Sequence, residues 1–223
     1  MWRDALLVAG KDLRIEMRSR VTINQVAPLS VLILVLFAFA LGPDRKPLVA
    51  ASAGLYWVAV LFAAVLAVQR SFALESAESA RDGLRLWGLD PAGVFLGKAA
   101  ALSVQLLVLE ALLGAGVVLL YGARLTGILL AIATCLLATA GLAAAGVIYG
   151  AISSGLRVRE TILPFLMLPV VAPVLLAATE SWRSTATAHG TPTGEPWLNL
   201  LAVFAAVYLS AGVLAFGPLF EES

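Results

Sequence analysis

Glu110 is a carboxylic acid near the centre of a long apolar segment, within "QLLVLEALL" (105–113). An ionised carboxylate at the centre of a bilayer costs about 2.5–3.5 kcal/mol on insertion scales, so such a residue faces the bundle interior, is protonated or pairs. Lys98 cannot be its partner, because twelve residues of helix separate the two by about 18 Å. Two interpretations follow: Glu110 has a conformational or functional role, or it makes a structural hydrogen bond to a neighbouring helix.

The segment "GVFLGKA" (93–99) has the outline of a phosphate-binding loop. It is one residue short between its glycines, and it lacks the Ser or Thr that would hold magnesium. We therefore predict that this chain does not bind ATP. Gly97 and Lys98 are interpreted instead as a helix start at the membrane interface, with the lysine extending to lipid headgroups.

The composition indicates an integral membrane protein. Hydrophobic residues make up 61% of the 223 residues and charged residues 13%, and the mean hydropathy is +0.97, beyond what a soluble domain tolerates. The net charge of +1 provides no basic field for nucleic acid. The single cysteine, Cys135, excludes an intramolecular disulfide and a cysteine-based metal cage, and no metal site is predicted.

Six apolar stretches approach the roughly 20 residues needed to cross hydrocarbon. They make one permease domain over 1–223, with predicted spans at about 22–41, 48–68, 92–121, 125–154, 161–179 and 197–220. Eleven of the fifteen Lys and Arg residues lie in the N-terminal segment, the second loop and the fourth loop. The positive-inside rule therefore predicts that these segments and both termini are cytoplasmic.

Two features inside the spans have structural interpretations. Pro164, Pro169 and Pro173 lie in the fifth span and are expected to kink it, because proline removes a backbone donor. Gly146 and Gly150 are four residues apart and allow close helix approach. We expect this pair to pack within the bundle rather than at a dimer interface.

An intramembrane serine protease is a different class of protein that the sequence disfavours. Ser153 and Ser154 end the fourth span, but the lone histidine, His189, lies in the fifth loop, which is predicted on the opposite side of the membrane. A Ser/His dyad therefore fails on geometry. No catalytic residue is predicted, and the chain is expected not to be an enzyme.

Residues 1–20 predict an amphipathic helix on the membrane surface. At about 100° per residue, one face carries the apolar residues Trp2, Leu6, Ala9, Leu13 and Met17. Two interpretations remain open: an interfacial anchor, or a connecting helix that contacts a partner subunit.

The second loop, within "RSFALESAESARDGLRLWGLDPAGVFLGK" (70–98), is the longest charged stretch of the chain. Glu78 extends the second helix into water, and Arg81 and Asp82 begin a turn. Arg85, Leu86 and Trp87 then combine exposed charge with apolar and aromatic side chains, which is typical of a docking surface. Asp90 and Pro91 predict the start of the third span, as N-cap and first helical residue.

The same blocks resemble a known family. "KDLRIEMRSR" (11–20), "GLYWVAVLFAAVLAVQRSFALE" (54–75), "DGLRLWGLDPAGVFLGK" (82–98), "GLRVRETILPFLMLPVVAPVL" (155–175) and "FGPLFEES" (216–223) are similar to the CcmB family, the B subunits of the haem exporter of cytochrome c maturation. The resemblance implies an all-α permease of the type-2 ABC exporter kind, with six spans, in a bacterial inner membrane. The loop at 70–98 would then be a cytoplasmic coupling elbow that docks on an ATPase.

The resemblance also implies partners. They are an ABC ATPase subunit that binds ATP, a haem-handling C subunit, a small D subunit, a periplasmic haem chaperone and a second copy of this chain. Haem is implied as the substrate of the complex, and no cofactor is expected to be held by this chain itself. The resemblance leaves open whether the chain itself moves haem or instead converts ATP hydrolysis into release of the haem-loaded chaperone.

Three residues outside the elbow are candidates within this family interpretation. Arg157 and Arg159 of the fourth loop would make rim contacts with the ATPase, or serve only as topology markers. His189 is a candidate transient haem ligand, because haem iron is usually held by His, Met, Cys or Tyr, although a lone loop histidine is more often solvated.

The main alternative function is a type-2 ABC permease for another amphiphile, such as a lipid, a polysaccharide or a drug. Spans, orientation and elbow fit that class equally well. A scaffold that binds the ATPase but has no substrate path is a third interpretation.

Overall fold

The computed structural model describes residues 1–20, 22–42, 44–77, 88–123, 127–154, 159–186 and 195–222. All regular secondary structure within these ranges is helical, which confirms the predicted all-α class. Its α-helices are α1 (Trp2–Ser19), α2 (Ala27–Ala40), α3 (Arg45–Ala77), α4 (Pro91–Tyr121), α5 (Ile128–Ser154), α6 (Arg159–Ala186) and α7 (Glu195–Glu222). A π-helical segment, Thr22–Val26, leads into α2.

Five of these helices, α3 to α7, are long and apolar enough to cross a bilayer. Helix α2 has only 14 residues. A sixth crossing results only if α1 and the segment from Asn24 to Ala40, which are bent by 54° to each other, are counted together as one broken span. The described chain is therefore a multi-pass helical protein with five candidate spans, or up to six.

Helix α4 begins and ends where its sequence predicts. The Asp90 side chain caps the helix by accepting a hydrogen bond from the Ala92 amide at 3.1 Å, and Pro91 is the first helical residue. At the other end, Gly122 adopts a left-handed conformation with φ of 69°, which glycine permits without steric cost. The two ends fix a helix of 31 residues.

Helix α4 lies at the centre of the packing and contacts α1, α2, α3, α5 and α7. Phe95 and Tyr121, near its two ends, are fully buried. The Tyr121 hydroxyl donates to the Leu34 carbonyl of α2 at 2.8 Å. Buried contacts near both of its ends therefore connect α4 to its neighbouring helices.

Small residues allow close approach between the other helices. A Cβ atom at Gly146 would lie 2.6 Å from the Val68 side chain, and one at Gly150 would collide with the Phe72 ring. The glycine pair thus packs against α3 inside the bundle, as expected. Helix α6 runs without interruption from Arg159 to Ala186 through its three prolines.

Candidate functional site

Glu110 is buried in the interior of the bundle, with 3% of its surface exposed. The Thr139 hydroxyl of α5 donates a hydrogen bond of 2.5 Å to Glu110 Oε1. Glu110 Oε2 is also buried and has no hydrogen-bond partner among the described residues. The carboxyl group is therefore held on one side by α5 and has spare hydrogen-bonding capacity on the other.

Tyr56 of α3 brings a second polar group to the same place. Its hydroxyl donates to the Glu110 backbone carbonyl at 3.2 Å and lies 3.6 Å from Cys135 Sγ. Cys135 is a free thiol of α5. Three helices thus contribute a carboxyl, a phenol and a thiol to one small polar cluster in an otherwise apolar bundle.

Aromatic rings support this cluster. Tyr56 stacks on Trp182 of α6 with ring centroids 4.3 Å apart, and Trp57 meets Tyr56 edge-to-face at 5.2 Å. Such pairs add about 0.5–1.5 kcal/mol beyond their buried area. Thr134 and Ser181 also share a buried hydrogen bond of 2.6 Å between α5 and α6. The cluster is therefore held by four helices.

A cavity of about 600 Å³ opens beside the cluster, between α4 and α5. Glu110, Cys135, Tyr56 and Trp182 line it together with apolar side chains and Gly114. Its size lies within the range of small-molecule sites, and its mostly apolar wall with few polar groups is typical of them. We refer to it as the Glu110 cavity.

The chemistry available in the Glu110 cavity is binding. An apolar or aromatic body can pack on the Tyr56 and Trp182 rings, and the Glu110 carboxyl can orient one polar group. Within the described ranges, no group of three or more His, Cys, Asp or Glu residues is placed to hold a metal ion.

A second polar contact joins α1 to α4. The Lys98 side chain is 3% exposed, and its Nζ donates to Asp12 Oδ2 at 3.5 Å and lies 5.1 Å from the centroid of the Phe72 ring. The prediction that Lys98 extends to lipid headgroups is therefore wrong. The cause is α1, which covers the lysine and supplies a carboxylate.

Helix α1 reaches Lys98 because α4 presents glycine along the contact. A Cβ atom at Gly93 would lie 2.7 Å from the Met1 carbonyl oxygen, and one at Gly97 would lie 2.6 Å from the Ala5 carbonyl oxygen. Asp4 Oδ2 also accepts from the Asp90 amide at 3.3 Å. The segment first considered as an incomplete phosphate loop is thus the surface on which α1 packs.

The predicted coupling residues fall largely outside this description. Glu78, Arg81, Asp82, Arg85, Leu86, Trp87, Arg157 and His189 all lie outside the described residues. Arg159 is the first residue of α6. Among the predicted site residues, Glu110 is therefore the one whose surroundings the structure defines. Sequence analysis did not identify Thr139 and Tyr56 as contacts of Glu110, or Asp12 as a contact of Lys98. The small residues of α1 and α4 were the only sequence signal for any of these contacts.

The described helices and the Glu110 cavity define the class: a multi-pass helical membrane protein with an apolar cavity between α4 and α5 that opens to the outer surface of the bundle. The family model described as "CcmB protein" matches residues 3–221. The chain therefore belongs to the CcmB family, and the resemblance seen in its sequence blocks is confirmed.

Curated relatives share almost the full length of the chain. Heme exporter protein B of Paracoccus denitrificans is 28% identical over 220 residues, covering 95% of this chain and 93% of the relative. The protein of the same name from Haemophilus influenzae is 28% identical, covering 94% and 92%, and that from Rhodobacter capsulatus is 29% identical, covering 88% and 89%.

Proposed function

We propose that this chain is the membrane permease subunit of an ABC transporter complex that serves haem export in cytochrome c biogenesis. The single observation that carries the proposal is the CcmB family match over residues 3–221. Relatives named heme exporter protein B cover the same length. The apolar helices α3 to α7 support a permease role, because each is long enough to cross the bilayer.

The chain is proposed to work without catalysis of its own. ATP hydrolysis is assigned to a partner ATPase, because the glycine segment at 93–97 is used to pack α1 and lacks a magnesium-binding hydroxyl. Haem is proposed as the substrate of the complex. The Glu110 cavity is large enough for a small-molecule ligand and is a candidate part of the substrate path.

Coupling to the ATPase is proposed through the elbow between α3 and α4. It contains Glu78, Arg81, Asp82, Arg85, Leu86 and Trp87, with rim contacts from Arg157 and Arg159. Its C-terminal end leads directly into Asp90, which caps α4 and whose amide contacts Asp4 of α1. A push on the elbow would therefore reach α4 and α1 together.

The proposed assembly has two copies of this chain in a bacterial inner membrane. Counting α1 and the segment from Asn24 to Ala40 as one broken span gives six crossings, and an even number of crossings puts both termini on one side of the membrane. The Lys and Arg distribution supports the cytoplasm as that side. A haem-handling C subunit, a small D subunit and a periplasmic haem chaperone complete the system. His189 stays a candidate haem ligand on the periplasmic side.

The test compares proteoliposomes that hold this chain with the ATPase, C and D subunits with proteoliposomes that lack the C subunit. Haem on each side of the membrane is followed by absorbance while ATP is hydrolysed. Haem that crosses the bilayer without the C subunit would make this chain the transport channel. Haem that stays in place while ATP frees the loaded chaperone would make it a mechanical coupler.

A permease for another amphiphile is the second candidate function, and the apolar wall of the Glu110 cavity favours it as much as haem. Deletion of the chain separates the two candidates. Loss of covalent haem from c-type cytochromes, with unchanged membrane lipid and surface polysaccharide, supports the proposed function. Intact c-type cytochromes would contradict it.

Docking of the ATPase is tested by reversing charge at Arg81 and Arg85 together. We expect the ATPase to be lost from the purified complex while the chain still inserts. Arg183→Glu, at the far end of α6 where Arg183 pairs with Glu180 at 2.6 Å, is the control. Undiminished co-purification with both arginines reversed would refute the elbow assignment.

A further inference from the structure

The charges of α1 are divided between two sides of the helix. Asp4 contacts the Met1 amino group and the Asp90 amide, both at 3.3 Å. Asp12 contacts Lys11 at 3.0 Å and Lys98 at 3.5 Å. Glu16 accepts a hydrogen bond of 2.5 Å from the Thr22 amide. Every carboxylate of α1 is thus engaged by the protein and at least partly covered.

The arginines of α1 face the other way. Arg3, Arg14 and Arg18 are exposed, and within the described part of the chain none of them pairs with a carboxylate. Offsets of 11 and 15 residues place them in an arc of about 60° around the helix. We call Arg3, Arg14 and Arg18 the arginine stripe.

An apolar stripe lies beside the arginine stripe. Trp2, Leu13 and Met17 each precede one of the three arginines, and Leu6 lies on the same side. Trp2, Leu6 and Met17 are 72%, 75% and 77% exposed. The outer surface of α1 therefore has a cationic edge and an apolar edge that run side by side.

A cleft of about 270 Å³ continues the apolar edge inward. It lies mainly where α1 meets α4, and its lining includes Trp2, Leu6, Ala9, Ala100 and Ser103. The small alanine side chains at positions 9 and 100 leave room for several methylene groups. An occupant that satisfies both edges needs an anionic group and a flexible apolar chain on one molecule.

We propose that α1 binds anionic membrane phospholipids along the arginine stripe. One phosphate lies at Arg3 with part of its acyl chain in the cleft, and a second lies at Arg14 and Arg18, which are about 16.5 Å and 22.5 Å along the helix from Arg3. Guanidinium groups bind phosphate through paired hydrogen bonds. A basic amphipathic helix that lies in the interface is the usual protein partner of anionic headgroups. An acidic protein surface would satisfy the arginines and leave the apolar edge and the cleft unfilled.

The test measures lipid preference of the full chain in phosphatidylcholine vesicles. Spin-labelled phosphatidylglycerol and spin-labelled phosphatidylcholine are compared by the fraction immobilised on the protein. We expect preference for the anionic probe, falling about fivefold for each arginine changed to glutamine. Higher salt should reduce the preference of the unmodified chain, because the arginines are exposed.

Two variants separate binding of the lipid headgroup from binding of the lipid acyl chain. Arg3→Gln with Arg14→Gln and Arg18→Gln should remove the preference, and Arg183→Gln at the far end of α6 should leave it unchanged. Ala100→Leu fills the cleft and should lower immobilisation of both probes without abolishing the preference. Each changed side chain is exposed, so folding is expected to be kept.

Two results would overturn the proposal. One is an unchanged, salt-insensitive preference in the triple arginine variant. The other is a triple variant that keeps its lipid preference but loses the ATPase from the purified complex, which would make the stripe a protein-docking surface. Neither result depends on whether haem is the substrate, so the proposed function stands or falls separately.

Discussion

Lys98 of α4 and Asp12 of α1 form a buried ion pair, with 3.5 Å between Nζ and Oδ2. The two residues are 86 positions apart in the sequence. Removing one member of a buried pair leaves the other charge without its compensation, which costs more than the pair itself contributes. The ion pair therefore fixes the position of α1 relative to the first turns of α4.

Asp12→Asn tests the contribution of this ion pair to stability. We expect a loss of about 3 kcal/mol in unfolding free energy, at the low end of the range for buried pairs because Asp12 is partly exposed. The measurement is unfolding of the purified chain in detergent with increasing SDS. Lys11→Met, which removes the more exposed contact to the same carboxylate, should cost less than about 1 kcal/mol. Equal losses in the two variants would contradict a special role for Lys98.

Gly97→Ala tests the packing of α1 on α4. The added methyl group would lie 2.6 Å from the Ala5 carbonyl oxygen, so backbone must shift, at a cost of about 1–3 kcal/mol. Gly114→Ala is the matched control in the same helix, because a Cβ atom there meets nothing within 4 Å. Alanine should stabilise that position by up to about 1 kcal/mol. Protease cleavage after Arg14 or Arg18 should increase only in Gly97→Ala.

Thr139→Val tests the hydrogen bond to Glu110. The variant removes the hydroxyl that donates to Glu110 Oε1, and we expect a cost of about 1–3 kcal/mol. In Glu110→Leu the same threonine change should cost clearly less, because the acceptor is already gone. A double-mutant cycle on unfolding free energies measures the difference. Additive effects would show that the 2.5 Å contact contributes nothing to stability.

Gly114→Leu tests whether the Glu110 cavity is used. The position lines the cavity and has open space for a larger side chain, so the leucine should fill volume without displacing a helix. We expect c-type cytochrome levels in cells to fall several-fold, while the ATPase still co-purifies with the chain. Unchanged cytochrome levels in a stably expressed variant would remove the cavity from the substrate path.

The start of α4 could be predicted from sequence because its signal is local. Asp90 and Pro91 are the preferred residues for an N-cap and a first helical position, and both act within one turn. The packing of Gly146 and Gly150 was predicted for a similar reason, since small residues four apart mark one face of a helix.

The first crossing and the position of α1 could not be predicted in the same way. The stretch 22–41 has a continuous apolar composition, but the structure begins it with a π-helical segment and keeps only 14 residues as α-helix. Hydropathy measures composition and is insensitive to such a change in helix type. Lys98 was assigned to headgroups because a lone lysine at a helix start usually extends there.

The partners of Glu110 required the tertiary structure. Burial of the carboxyl followed from its place in an apolar run, but many small residues of α5 were equally suited to face it. Thr139 is the one whose hydroxyl meets Glu110 Oε1, because α4 and α5 pack with that register.

The lengths of α3 and α4 have a mechanical consequence. With 33 and 31 residues, the two helices measure about 50 Å and 46 Å, whereas hydrocarbon is about 30 Å thick. Each helix therefore exceeds the hydrocarbon thickness by more than 15 Å, shared between its two ends. Helices of this length convert a small tilt into a displacement at their ends, because a tilt of about 3° about the midpoint moves each end by about 1.2 Å.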